Sequence, residues 1–183
     1  MTIEDRKFGE LILYLARLSE ADPKCGRTKL NKLLFYVDFR AYERFGASVS
    51  GQRYQKRDYG PTAGSFMPVV RALEEREACV WVERTYHGRP MKKLVARREP
   101  DISVFRPEEV DLIHETLGEF FPYDAQDLTN KTHLFAGYQA AGMDEEIPYN
   151  MVFVDDARPL SPEEEAWALS VVKEYRERKA LAG

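Results

Sequence analysis

The chain predicts an α+β fold, a predominantly helical single domain over residues 1–183 with a small antiparallel β-hairpin. Three observations predict it. Apolar residues recur at helical spacing through most of the chain, and β-branched and aromatic residues flank a turn at His87-Gly88-Arg89-Pro90. The 183 residues, 44% hydrophobic, are enough to bury one core.

Phe8, Leu11, Ile12, Leu15 and Leu18 mark a first helix over about Ile3 to Ser19, stopped at Asp22-Pro23 and Gly26. Thr28 then caps a second helix, with Leu30, Leu33, Leu34, Val37, Ala41 and Phe45 as its buried stripe and Gly46 at its end. Arg53 to Asp58 reads as a short strand entering a turn at Tyr59-Gly60-Pro61-Thr62. Phe66, Val69, Val70 and Leu73 give a third helix to about Glu77, and Cys79 to Tyr86 pairs with Met91 to Ala96 as the hairpin. Pro107 opens a fourth helix, closed by Pro122. A further helix covers Ala125 to Ala141, Met151 to Val154 suits a short strand, and a C-terminal helix is expected at about 162–180. Its Trp167, Val171 and Tyr175 would close the core or face a partner. The polar stretch 97–106 is the only candidate boundary.

The net charge of −4 conceals a polarity. Residues 1–100 carry 20 Lys/Arg against 13 Asp/Glu, a balance of +7; residues 101–183 carry 7 against 18, a balance of −11. Such halves attract each other within one fold or orient a charged partner. The longest apolar runs, such as Leu11 to Ala16, fall far short of the ~20 residues of a bilayer span, and the N-terminus has no basic signal region. Cys25 and Cys79 lack metal-ligand spacing and are too few to staple a secreted scaffold. A reduced, cytoplasmic setting is expected, with no membrane contact.

Little in the chain points to catalysis. His87, His114 and His133 share no metal-ligand spacing, and Asp144-Glu145-Glu146 and Asp155-Asp156 read as solvated acidic runs. There is no phosphate-cradling glycine loop and no nucleophile elbow. His133 reads as a hydrogen-bonded structural histidine in preference to a catalytic one. No cofactor, metal or enzymatic activity is expected.

Arg84, Arg89, Lys92, Lys93, Arg97 and Arg98 occur with no acidic residue between 84 and 98. Three helices followed by a basic hairpin is a winged-helix-like order for the N-terminal half, which makes a DNA-binding transcriptional regulator the alternative function. Glu74, Glu75 and Glu77 on the third helix disfavour base reading.

The segment Thr28-Lys29-Leu30-Asn31-Lys32-Leu33-Leu34-Phe35-Tyr36-Val37-Asp38, followed by Gly51, Tyr54 and Tyr59-Gly60-Pro61, resembles the Panacea domain, the SocA-like antitoxin family that includes phage-associated GepA-type proteins. Leu128 to His133 is similar to the family's Leu-Ser/Thr-x-x-Thr-His segment, and Ile147-Pro148-Tyr149 to the element after it. The chain departs from the pattern at Thr62-Ala63-Gly64 and at Tyr138, which bears on partner choice. The resemblance implies a mixed, largely helical domain that neutralises a cognate toxin by direct contact, some members acting as adaptors that deliver the toxin to a protease.

Within these motifs Leu30, Leu33, Thr132 and His133 are expected to be structural. Candidate partner contacts are Lys29, Lys32, Tyr36, Asp38, Tyr59, Gly60 and Pro61, with Arg89, Lys92 and Lys93 on the hairpin. Asp38 is expected to pair with a basic residue.

Overall fold

Helices α1 (Ile3–Leu18) and α2 (Arg27–Phe45) pack together in the structure, a computed structural model that describes residues 3–155. The helix expected near 162–180 lies outside the described residues. Phe8, Leu11, Ile12 and Leu15 of α1 and Leu30, Leu33, Leu34 and Val37 of α2 are all buried in one hydrophobic core, and the two helices touch. At about 1.5–3 kcal/mol per buried large apolar side chain, this contact is a principal source of stability.

After α2 the chain makes a two-residue ribbon, β1 (Tyr54–Gln55) against β2 (Thr62–Ala63), with the Tyr59 turn at its tip. The expected strand over 53–58 is only two residues long, and its other side pairs with residues 145–147: Lys56 N donates to Glu145 O at 2.9 Å and Ile147 N to Tyr54 O at 2.8 Å. Helix α3 (Phe66–Glu75) then leads into the hairpin of β3 (Cys79–Tyr86) and β4 (Arg89–Ala96). His87 and Gly88, both with positive φ (46° and 74°), form its two-residue turn. The order of three helices and a hairpin is as the sequence predicts.

Helix α4 (Pro107–Phe120) starts on a Glu109 carboxylate that accepts from Arg106 N at 2.8 Å. Helix α5 (Ala125–Leu134) is capped by Asp124, which accepts from Gln126 N and Asp127 N at 2.8 and 2.9 Å. The single helix expected over 125–141 is broken. Phe135 adopts an extended conformation (φ −63°, ψ 127°) and packs its ring against Phe35 and Phe39, each at 5.6 Å, before the short α6 (Ala136–Ala140). The strand expected at 151–154 is instead a 3-10 turn (Tyr149–Met151) running into α7 (Val152–Asp155). Tyr149 anchors it, stacking on Tyr42 at 5.3 Å and donating to Gln52 O at 2.5 Å.

The charge polarity is used inside the fold. Basic residues of the first half pair with acidic residues of the second: Lys7 with Glu109 (2.9 Å), Arg40 with Glu119 (2.7 Å), Arg44 with Glu115 (2.8 Å) and Arg57 with Asp144. Among the described residues no helix is long and apolar enough to cross a membrane, and no cluster of His, Cys, Asp or Glu has the makings of a metal site.

Candidate partner-binding face

Most polar residues of the Thr28–Pro61 segment are internal ties. Lys29 is 0% exposed; its ammonium pairs with Asp22 Oδ2 at 2.7 Å and donates to the carbonyls of Tyr123 and Phe121 at 2.6 and 3.2 Å, just past the end of α4. A cation there satisfies carbonyls that a helix leaves open. Asp38, also 0% exposed, has no basic partner among the described residues. It accepts from Ser50 N and Tyr54 Oη, both at 2.8 Å, and from the Ser50 hydroxyl. Burial pushes its carboxyl up to about 6, opposed by these hydrogen bonds.

The hairpin divides in the same way. Lys92 is exposed and stands opposite Glu83, whereas its neighbour Lys93 points the other way and is 7% exposed. The Lys93 ammonium donates to the carbonyls of Ser19, Glu20 and Asp22 at 3.0, 2.8 and 2.7 Å, closing the C-terminal end of α1. Burial therefore removes Lys29, Asp38 and Lys93 from the surface on which sequence reasoning put partner contacts.

Gly60 and Pro61 are buried as well. Gly60 has φ 100°, and a Cβ there would strike the Lys32 ammonium and come within 2.7 Å of Thr132 Oγ1. The Tyr59 carbonyl accepts from Lys32 Nζ, and Thr129 Oγ1 stands 3.4 Å from it. Thus the α2 motif, the Tyr59-Gly60-Pro61 turn and the Leu128–His133 segment meet at one point, which gives their joint occurrence a physical cause. The His133 ring stacks on Tyr138 at 4.6 Å and 11°, its carbonyl accepts from Gln139 Nε2 at 3.2 Å, and its buried Nε2 has no partner among the described residues. Tyr36 is half-buried, its ring 4.3 Å from Phe120.

What remains outside is Tyr59, 74% exposed, together with Arg89 and Lys92. Two adjoining cavities connect them. A cleft of about 710 Å³ lies between the hairpin and the starts of α2 and α5, with Lys24, Arg89 and Lys92 facing Glu83 and Asp124. A smaller one, about 180 Å³, lies under Tyr59 beside Asn31 and Lys32. Arg27 and Thr28 line both. Sequence reasoning missed Arg27 and Asn31 because it started the helix at a Thr28 cap. The actual N-cap is Gly26, which offers no side-chain cap, and Met91 Sδ stands only 3.1 Å from where a Cβ would be.

The fold and this face define a small α+β domain whose signature residues are mostly core and whose exposed candidates, Tyr59, Arg89 and Lys92, border two adjoining cavities. The chain belongs to the family described as antitoxin SocA-like, Panacea domain, whose model matches residues 30–139. No curated protein and no solved structure matches it.

Proposed function

We propose that this chain neutralises a protein toxin by direct contact, through the face made by Tyr59, the first turn of α2 and the exposed hairpin residues Arg89 and Lys92. The observation that carries the reading is the continuity of this face: Arg27 and Thr28 are common to both cavities, one of which reaches Tyr59 and the other the hairpin. Exposed tyrosine and arginine beside a concave surface are the residue types on which binding energy concentrates. The reading puts the protein in the reduced cytoplasm, where the buried Cys25 and Cys79 stay thiols. Delivery of the captured toxin to a protease is the further role that the family suggests.

Co-expression with the product of the adjoining gene, scored by co-purification and rescue of growth, tests this. A stable complex and rescue are expected, both weakened by Tyr59→Ala and by Arg89→Ala with Lys92→Ala; no complex and no rescue would sink the reading. A protein partner is favoured over DNA because Lys93 is spent inside the fold and Glu83 and Asp124 line the cleft, opposing a phosphate backbone. Steep, salt-sensitive binding to duplex DNA would reverse that preference.

A further inference from the structure

We propose that the smaller cavity is a receptor for an acidic side chain of the partner, a carboxylate on a short apolar stem, an inference that rests on the protein-binding reading above. Its walls include three cationic residues, Arg27, Lys32 and Arg57, the last also paired with Asp144, and among the described residues no carboxylate. Lys32 is 1% exposed, and among the described residues its ammonium has one acceptor, the Tyr59 carbonyl. An ammonium carries three donors, and a buried cation without a counter-charge is destabilising by several kcal/mol in order of magnitude. The contrast with Lys29 is direct, since Lys29 has the Asp22 carboxylate at 2.7 Å. Lys32 lines the cavity and has no carboxylate partner among the described residues.

The other walls narrow the ligand. Asn31 spends its Nδ2 on Arg27 O at 3.0 Å and leaves Oδ1 buried without a partner among the described residues, an acceptor suited to the backbone N–H that accompanies an inserted side chain. Phe66 and Met67 supply an apolar wall for the methylene stem. Cations for the carboxylate, an acceptor for the N–H and an apolar wall together match an Asp or Glu residue within a peptide better than a bare phosphate, which has no stem.

Binding should also carry a proton. Burial pushes the Lys32 ammonium down to about 7, and a carboxylate beside it would restore the charged form. The charged and titratable groups sharing the cavity are Arg27 on the same helix and Arg57 and Tyr59 from the turn; α5 contributes Thr129 and Thr132 around the Tyr59 carbonyl.

The test uses the full chain and two probes, N-acetyl-glutamate N-methylamide and its glutamine counterpart, followed by amide NMR at pH 6 and pH 8. The glutamate probe should shift the amides around Arg27, Asn31 and Lys32, bind about tenfold more weakly at pH 8 as Lys32 loses its proton, and lose affinity in Lys32→Met and in Arg27→Gln. Arg27 is exposed, so its variant keeps the test decisive if Lys32→Met fails to fold. An equal response to glutamine, or to inorganic phosphate, overturns the inference. If the adjoining gene's product binds but Arg27→Gln and Lys32→Met leave that binding unchanged, the inference falls and the neutralisation reading stands. If the glutamate probe binds as described and no toxin does, the carboxylate site stands and the neutralisation reading falls.

Discussion

Lys92 and Lys93 are adjacent in a basic hairpin, yet replacing each with methionine should give opposite results. The Lys93 ammonium donates to three carbonyls at 2.7–3.0 Å at the end of α1, in a position from which water is largely excluded. A buried carbonyl left without a donor is destabilising by roughly 1–3 kcal/mol, and relief of the lysine's own desolvation offsets part of the total. Methionine keeps most of the stem, so the net loss for Lys93→Met should be about 3–4 kcal/mol. With a urea slope of about 2 kcal/mol per molar, that lowers the unfolding midpoint by roughly 1.5–2 M. Lys92→Met loses only an exposed cross-strand pairing with Glu83, within about 0.5 kcal/mol. Urea titrations followed by circular dichroism decide the matter. A Lys93→Met midpoint within about 0.3 M of the parent, or equal effects at the two positions, would refute the claim that Lys93 closes the end of α1.

Gly60→Ala should destabilise by about 3 kcal/mol, from left-handed backbone strain and displacement of the Lys32 ammonium, read as a lowered melting temperature. Asp38 makes stability depend on pH in a stated direction. Its carboxyl sits at about 6 in the fold against an ordinary 3.8, so its contribution is full below about 4, is lost as pH rises through 6, and amounts to about 3 kcal/mol. The stability difference between the parent and Asp38→Asn should shrink by that amount between pH 4 and pH 7, and a difference constant across that window would refute the assignment. Tyr59→Ala should leave the urea midpoint unchanged while weakening toxin binding tenfold or more by calorimetry.

The first four helices and the hairpin were legible because each carries its own period: Leu30, Leu33, Leu34 and Val37 name the buried face of α2 without tertiary help. Where the reading failed, distant contacts decided. Met151 to Val154 is a four-residue apolar run that fits strand or helix equally, and the anchoring of Tyr149 on Tyr42 and Gln52 settles it as helical. Phe135 continues a helical pattern, but its ring is taken up by Phe35 and Phe39 and the helix breaks there. At the site, a lysine reads as a surface residue in any local window. Only the carbonyls gathered from Ser19 to Asp22 and from Phe121 to Tyr123 explain why Lys93 and Lys29 lie inside. Arg27 and Asn31 escaped notice for a related reason, since a cavity is a property of several segments and none of them contains it.

The buried lysines also set a timetable for synthesis. Lys29 finds Tyr123 O, and the Tyr59 carbonyl finds Thr129, only after those residues have left the ribosome. Until then the emerging chain holds +7 over its first hundred residues and lacks the acidic partners Glu109, Glu115 and Glu119 that later pair with it. A polypeptide interrupted before residue 123 would carry the Thr28–Pro61 segment and still have no assembled face to offer. The face therefore assembles late and all together, once residues 123–129 have emerged.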